Sequence, residues 1–227
     1  MKTRLIGDIH GDWNGYSEIA ENAVDFGGCD HTIQIGDFGI GFAGSYWHDR
    51  VNDFQYDGTH RFIRGNHDNP AKCKEMLGWI KDGLVEDGVM YIGGAWSIDQ
   101  AYRTEGVSWW KDEELSISEL YEMIDIYEKI KPRIMITHDC SFDVATEMFF
   151  RSGILPSSER HTTRTASALN TMMEIHQPEF HFFGHWHHSI KRDYKNTTYV
   201  CLGINDYVDV DLANSNQIHE ALEGWGE

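Results

Sequence analysis

The sequence predicts an α/β fold, a two-sheet β-sandwich flanked by helices. Short apolar runs, most of four or five residues, alternate with helix-type segments along the chain. Most of these runs show no in–out alternation, as expected of strands covered on both faces. The length of 227 residues suits one sizeable core better than two, so residues 1–227 read as a single domain.

The strand-type runs fall at 3–7, 32–36, 61–65, 89–93, 133–137, 179–184, 198–203 and 208–212. Between the first two, residues 17–26 place Ile19, Ala23, Val24 and Phe26 near helical spacing. Asn69 before Pro70 makes a helix start, with Asn as N-cap and Pro at the first position, opening 71–79. Ser116 and Glu119 form a capping box. Ile117, Leu120, Ile124, Tyr127 and Ile130 follow it at steps of three and four until Pro132. A fourth helix is expected over 163–176, stopped by Pro178, and residues 213–227 read as an acidic tail, surface-bound or partly disordered.

Composition narrows the function. The formal net charge of −18 disfavours broad attraction to nucleic acid or acidic membranes. No run approaches eighteen apolar residues and no signal peptide opens the chain, so neither a membrane span nor secretion is expected. Cys29, Cys73, Cys140 and Cys201 stand singly and read as reduced, buried thiols of a cytoplasmic protein. The unusual feature of the composition is 13 histidines.

Those histidines have a pattern. Asp8 and His10 follow the first strand run, Asp37 the second, and Asn66, His67 and Asp68 the third. His138 follows the fifth, and His185 and His187 the sixth. Loops at the carboxyl ends of strands in α/β sheets converge on one crevice. Two Asp, one Asn and four His suit divalent Mn, Fe, Zn or Ni, and seven donors fit two ions sharing a carboxylate.

The ordered string GDIHG, GD, GNHD, TH and GHWH resembles the signature of calcineurin-like metallophosphoesterases and spans residues 7–187. The resemblance implies that Asp8, His10, Asp37 and His187 bind one metal. It assigns Asp37, Asn66, His138 and His185 to the other, with Asp37 bridging. Two divalent ions, manganese foremost, would hold a bridging hydroxide as nucleophile, with His67 at the leaving oxygen. The stretch 93–115 is also similar to one in small metallophosphoesterases of actinobacteria and their phages, which would place a phage-encoded chain in the host cytoplasm.

The chain departs from the protein phosphatases of this family, whose second motif runs G-D-x-x-D-R-G. Ile40 stands where an Asp would orient the catalytic His, and Gly41 where an Arg would bind phosphate. His67 then needs another orienter, Asp68 or Asp12. Arg64 is either a phosphate contact or a surface residue of its strand. Arg103 meets phosphate while a Trp stacks a base, or it pairs with Glu105 or Glu113 while Trp109 and Trp110 simply pack. Residues 157–164, with Arg160, His161 and Arg164, form a lid or a solvated helix start. His176, His181 and His188 read as structural.

With fewer cations expected in the pocket, a phosphodiester is the expected substrate, in particular a cyclic or small nucleotide. The alternatives are a phosphomonoesterase or protein phosphatase, a nuclease, and a non-catalytic metal-binding scaffold. The partner is a small phosphate ester; extended nucleic-acid binding is not expected, and eight tryptophans leave room for oligomerisation.

Overall fold

The structure is a computed structural model that describes residues 1–42, 51 and 57–226. Within it, strand Val89–Ile92 shows why the runs are apolar throughout. Val89 and Tyr91 enter one apolar cluster while Met90 and Ile92 enter another, because successive strand side chains leave opposite faces.

Three parallel strands, β1 (Lys2–Ile6), β2 (His31–Gln34) and β3 (His60–Phe62), form the first sheet with antiparallel β10 (Tyr207–Asp211) on the β1 side. The second sheet runs β4-β5-β6-β7-β9-β8. Its parallel centre is β5 (Val89–Ile92), β6 (Ile134–Thr137), β7 (Phe180–Phe183) and β9 (Thr197–Cys201). Two antiparallel edge strands close it, β4 (Val85–Glu86) and β8 (Ile190–Tyr194).

Leu5, Ile33 and Ile63 meet Val89, Ile134, Phe180, Phe182 and Val200 between the sheets. Helix α1 (Trp13–Asp25) covers the outer face of the first sheet through Tyr16 and Ala20. The one-turn helix α2 (Pro70–Cys73) adds Cys73 to the same layer. Helices α3 (Ile117–Ile130), α4 (Phe142–Ala145) and α5 (Arg164–Ile175) cover the second sheet. The expected helix-flanked sandwich is the observed architecture.

All eight anticipated strands form, and the glycines that closed several of the runs fall just past the strand ends. The missed strands are the two edges. Ile190–Tyr194 contains Lys191, Arg192 and Asp193, the charge that protects an exposed edge and hides it from an apolar count. Helix α1 starts at Trp13, four residues early, because the Asp12 carboxylate caps it by accepting from Gly15 N at 3.0 Å. It buries Tyr16, Ala20 and Ala23, and Phe26 is left 85% exposed.

The helix expected over 71–79 stops after one turn. Phe62, on the edge strand β3, takes backbone partners from that segment instead: its N–H donates to Gly78 O and its carbonyl accepts from Ile80 N. The tail is the largest correction. Residues Ser215–Ala221 form α6, capped by Asn214, and bury Ile218 and Leu222 against the inter-sheet core. The four cysteines are free and buried, as expected. Among the described residues, no helix is long and apolar enough to cross a membrane.

His181 sits wholly buried on β7, with Nε2 at 2.7 Å from Thr137 Oγ1. The Thr137 hydroxyl donates to Asp139 O, so His181 Nε2–H must be the donor, and Nδ1 has no partner among the described residues. Burial pushes its pKa down to about 3. Between an ordinary value near 6.5 and about 3, the unfolded chain binds a proton that the folded chain refuses, so stability falls as pH falls. His181→Leu is expected to remove up to about 1.4 kcal/mol per pH unit of acid sensitivity in that window. Urea denaturation from pH 7 to pH 4 in excess chelator checks it, and parallel wild-type and variant curves would refute it.

Candidate metal centre

The seven donors named from the sequence meet at one edge of the sandwich, each just past the carboxyl end of a parallel strand. Asp8 and His10 follow β1, Asp37 follows β2, Asn66 follows β3, His138 follows β6, and His185 and His187 follow β7. Four of them, His10, Asp37, His185 and His187, have positive φ between 49° and 67°. Non-glycine residues rarely adopt that region, and such strain collects at functional sites. Small neighbours make the approach possible. A Cβ on Gly65 would strike the Asp37 carboxylate, and one on Gly184 the Asp8 carboxylate.

The donors form two groups. Asp8, His10, Asp37 and His187 make the first, and Asp37, His138 and His185 the second, with donor atoms in each within 4.8 Å of one another. Asn66 belongs with the second: its Oδ1 is 2.9 Å from His185 Nδ1 and 3.1 Å from His138 Nε2. Asp37 faces both, Oδ1 lying 3.1 Å from His138 Nε2 and Oδ2 3.8 Å from His10 Nε2. In the first group His187 Nε2 is 3.1 Å from Asp8 Oδ2 and 2.9 Å from His10 Nε2. Two imidazole nitrogens that close need a proton or a cation between them, and with two buried carboxylates this set fits divalent metal.

Neighbouring groups fix these side chains in orientation. His138 Nδ1 lies 2.9 Å from Ile35 O, which makes it the protonated nitrogen and leaves Nε2 for ligation. Asn66 Nδ2 donates to Ser97 Oγ at 3.0 Å, and Ser97 donates to Glu113 Oε2 at 2.6 Å. That chain turns the Asn66 carbonyl oxygen toward the histidines. Burial opposes charge on Asp37, yet the imidazoles of His138, His67 and His10 hold its carboxyl well below the usual range. Burial likewise opposes charge on His138, while Asp37 beside it holds it up at about 10. A metal ion bound at His138 would therefore displace a proton at neutral pH.

His67 stands at the rim, its ring centroid 4.7 Å from that of His10, and its N–H donates to Asp37 Oδ1 at 2.7 Å. Neither expected orienter reaches its ring. Asp68 is spent on backbone: it accepts from Phe38, Gly39, Ile40 and Gly65 N–H groups at 2.7–3.1 Å and ties the second loop to the third. Asp12 caps α1. The group beside the His67 ring is Arg103, whose Nη2 contacts both ring nitrogens. Arg103 pairs with Asp99 at 2.7 Å, not with Glu105 or Glu113 as its packing alternative had it.

Arg64 is not a surface residue of its strand. It is 2% exposed, bonded to Asp82 at 3.0 Å and to the carbonyls of Asp112 and Glu113 at 3.2 and 2.7 Å. Trp110 is buried edge-on to Phe42, which stacks at 6.1 Å on His67. Asp99 and Ser97 were not legible as site residues, since the loop that carries them has no periodicity.

The calcineurin-like phosphoesterase family matches residues 1–189. No curated protein sequence matches the chain. Among solved structures it resembles the TT1561 protein of Thermus thermophilus, with 12% identity and a TM-score of 0.56 over 93% of this chain and 94% of that one. It also resembles the phosphopantetheinyl hydrolase PptH of Mycobacterium tuberculosis, with 13% identity and a TM-score of 0.56 over 90% of both chains. A Staphylococcus aureus structure given as a candidate 5'-nucleotidase shares 12% identity at a TM-score of 0.53, and this chain, covered over 92%, spans 50% of its length. At such identities the likeness speaks for the fold. With its matched residues reaching across all seven donors, the chain belongs to the calcineurin-like phosphoesterases, metal-dependent hydrolases of phosphate esters.

Proposed function

We propose that the chain hydrolyses phosphodiesters of small nucleotide type at a dinuclear centre, with Asp8, His10, Asp37 and His187 holding one divalent ion. Asp37, Asn66, His138 and His185 would hold the other, manganese being the ion to load first. What two such ions supply is Lewis acidity toward phosphoryl oxygens and a lowered pKa for water. The chain's own residues position and discriminate.

The observation that carries the diester reading is the Arg103–Asp99 pair beside His67. Of the two arginines near the motifs, Arg64 is locked against Asp82 and Arg103 is already matched by a carboxylate at 2.7 Å. A monoester dianion brings about one more negative charge than a diester, and among the described residues neither arginine is uncommitted to meet it. Burial, assisted by the charge of Arg103, pushes the His67 pKa down to about 4. His67 is therefore neutral at pH 7 and offers the leaving oxygen one N–H as a hydrogen bond, while Arg103 orients the ring.

Paired kinetics on bis-p-nitrophenyl phosphate and p-nitrophenyl phosphate, with Mn²⁺ added after chelation, test the reading. The expected kcat/KM ratio favours the diester by about tenfold, the size of one charge-assisted contact of about 1.4 kcal/mol. A ratio of one or below overturns it in favour of a phosphomonoesterase, and no turnover of either ester points to the scaffold reading.

A further inference from the structure

A cavity of about 340 Å³ opens directly beside the metal centre, and His185 and His187 form part of its wall. Any ester bound at those histidines has this space next to one of its substituents. Its size falls within the range of small-ligand sites.

The walls are aromatic. Trp96, Phe142, Phe150 and Trp186 line it together with the two histidines. All four rings are half-buried, so part of each remains open. Trp186 is held rigidly: its Nε1 donates to Asp139 Oδ1 at 3.0 Å and its ring stacks on Phe149 at 4.8 Å, 11° from parallel. Trp96 is set by His161 at 4.9 Å, from the segment expected as a lid or helix start. That segment does close one side of the cavity, contributing Glu159 and His161, with Leu155 just before it.

The charges are one-sided. Among the described residues lining the cavity, the charged side chains other than histidine are the carboxylates Asp139 and Glu159, with no lysine or arginine. Of the nearby guanidiniums, Arg160 lies over the Phe142 ring of the wall at 4.3 Å and Arg164 pairs with Glu114 at 3.3 Å. Such a space repels a second phosphate. It suits a flat, uncharged ring that offers hydrogen-bond donors to carboxylates.

We propose that this cavity takes the base of a nucleoside substituent on the ester, and prefers bases with an exocyclic amine. The proposal rests on the phosphodiesterase reading for its place in the reaction. Aromatic faces stack any base, and the carboxylate edge then separates an amine from a carbonyl.

The test is calorimetric titration of the Mn²⁺-loaded protein with adenosine, inosine and cyclohexylmethanol, none of which carries a phosphate to bind the metals. Adenosine is expected to bind saturably and more tightly than inosine. Trp96→Ala and Phe150→Ala are each expected to weaken it about tenfold with an unchanged circular dichroism spectrum, the scale of one lost stacking face. No adenosine binding, binding indifferent to both substitutions, inosine binding as well as adenosine, or cyclohexylmethanol binding as well as adenosine each overturns the proposal. The same preparation is assayed on bis-p-nitrophenyl phosphate. Adenosine binding without turnover refutes the phosphodiesterase reading alone, and turnover without adenosine binding refutes the cavity's assignment alone.

Discussion

Asp37→Asn is expected to lower metal content from two ions per chain to less than one and to reduce turnover of bis-p-nitrophenyl phosphate by about 10³-fold or more. Asp37 is the residue common to both donor groups, and its two oxygens face different partners. An amide keeps the shape and loses the charge. It offers one oxygen where the carboxylate offers two, so the second group is left without an acid donor and the first with Asp8 as its only one. The remaining carboxylate, Asp8, belongs to the first group alone. Metal analysis by mass spectrometry after gel filtration, beside kcat, reads the result. Retention of one full equivalent would show that the groups are independent and that Asp37 does not bridge.

His67→Asn is expected to do the reverse, with two ions retained and kcat reduced by about 10²–10⁴-fold. His67 ligates nothing in either group, and only its backbone N–H touches Asp37. The loss should depend on the leaving group. A p-nitrophenolate departs with little help, so the smaller loss is expected there and the larger one on an alkyl ester. Asn is chosen because its amide keeps N–H donors of short reach and its carbonyl oxygen leaves Arg103 an acceptor. Equal losses on aryl and alkyl esters would mean that His67 serves binding and not departure of the leaving oxygen.

These two predictions use residues that the sequence marks plainly, and the reason is local. Each candidate donor lies within four residues of an apolar strand run, and the parallel strands within each sheet end at the same edge. Order along the chain thus gathers the candidate donors of each sheet, and the packing of the two sheets joins the two sets. The core was legible for the same reason, since runs such as Val89–Ile92 are apolar at every position only when both faces are covered. Edge strands and α6 were less so. Ile190–Tyr194 is charged, and the short α6 rests on Ile218, Leu222 and the sheet beneath them.

The surroundings of the donors belong to the tertiary structure. Arg64 and Arg103 look alike as cations in a glycine-rich context, and only packing sends one to Asp82 and the other to the His67 ring. Asp68, two residues from a donor, turns inward to four amides because the second and third loops must be tied where both carry ligands. Trp96, Phe150 and Trp186 are 90 residues apart at their extremes and share a cavity wall. The sequence by itself determined the fold class, the candidate donors and the family chemistry, because these follow from short-range periodicity and strand ends. What lies beside the phosphate was decided by contacts between residues far apart in the chain, whose side chains carry no pattern that names their partners.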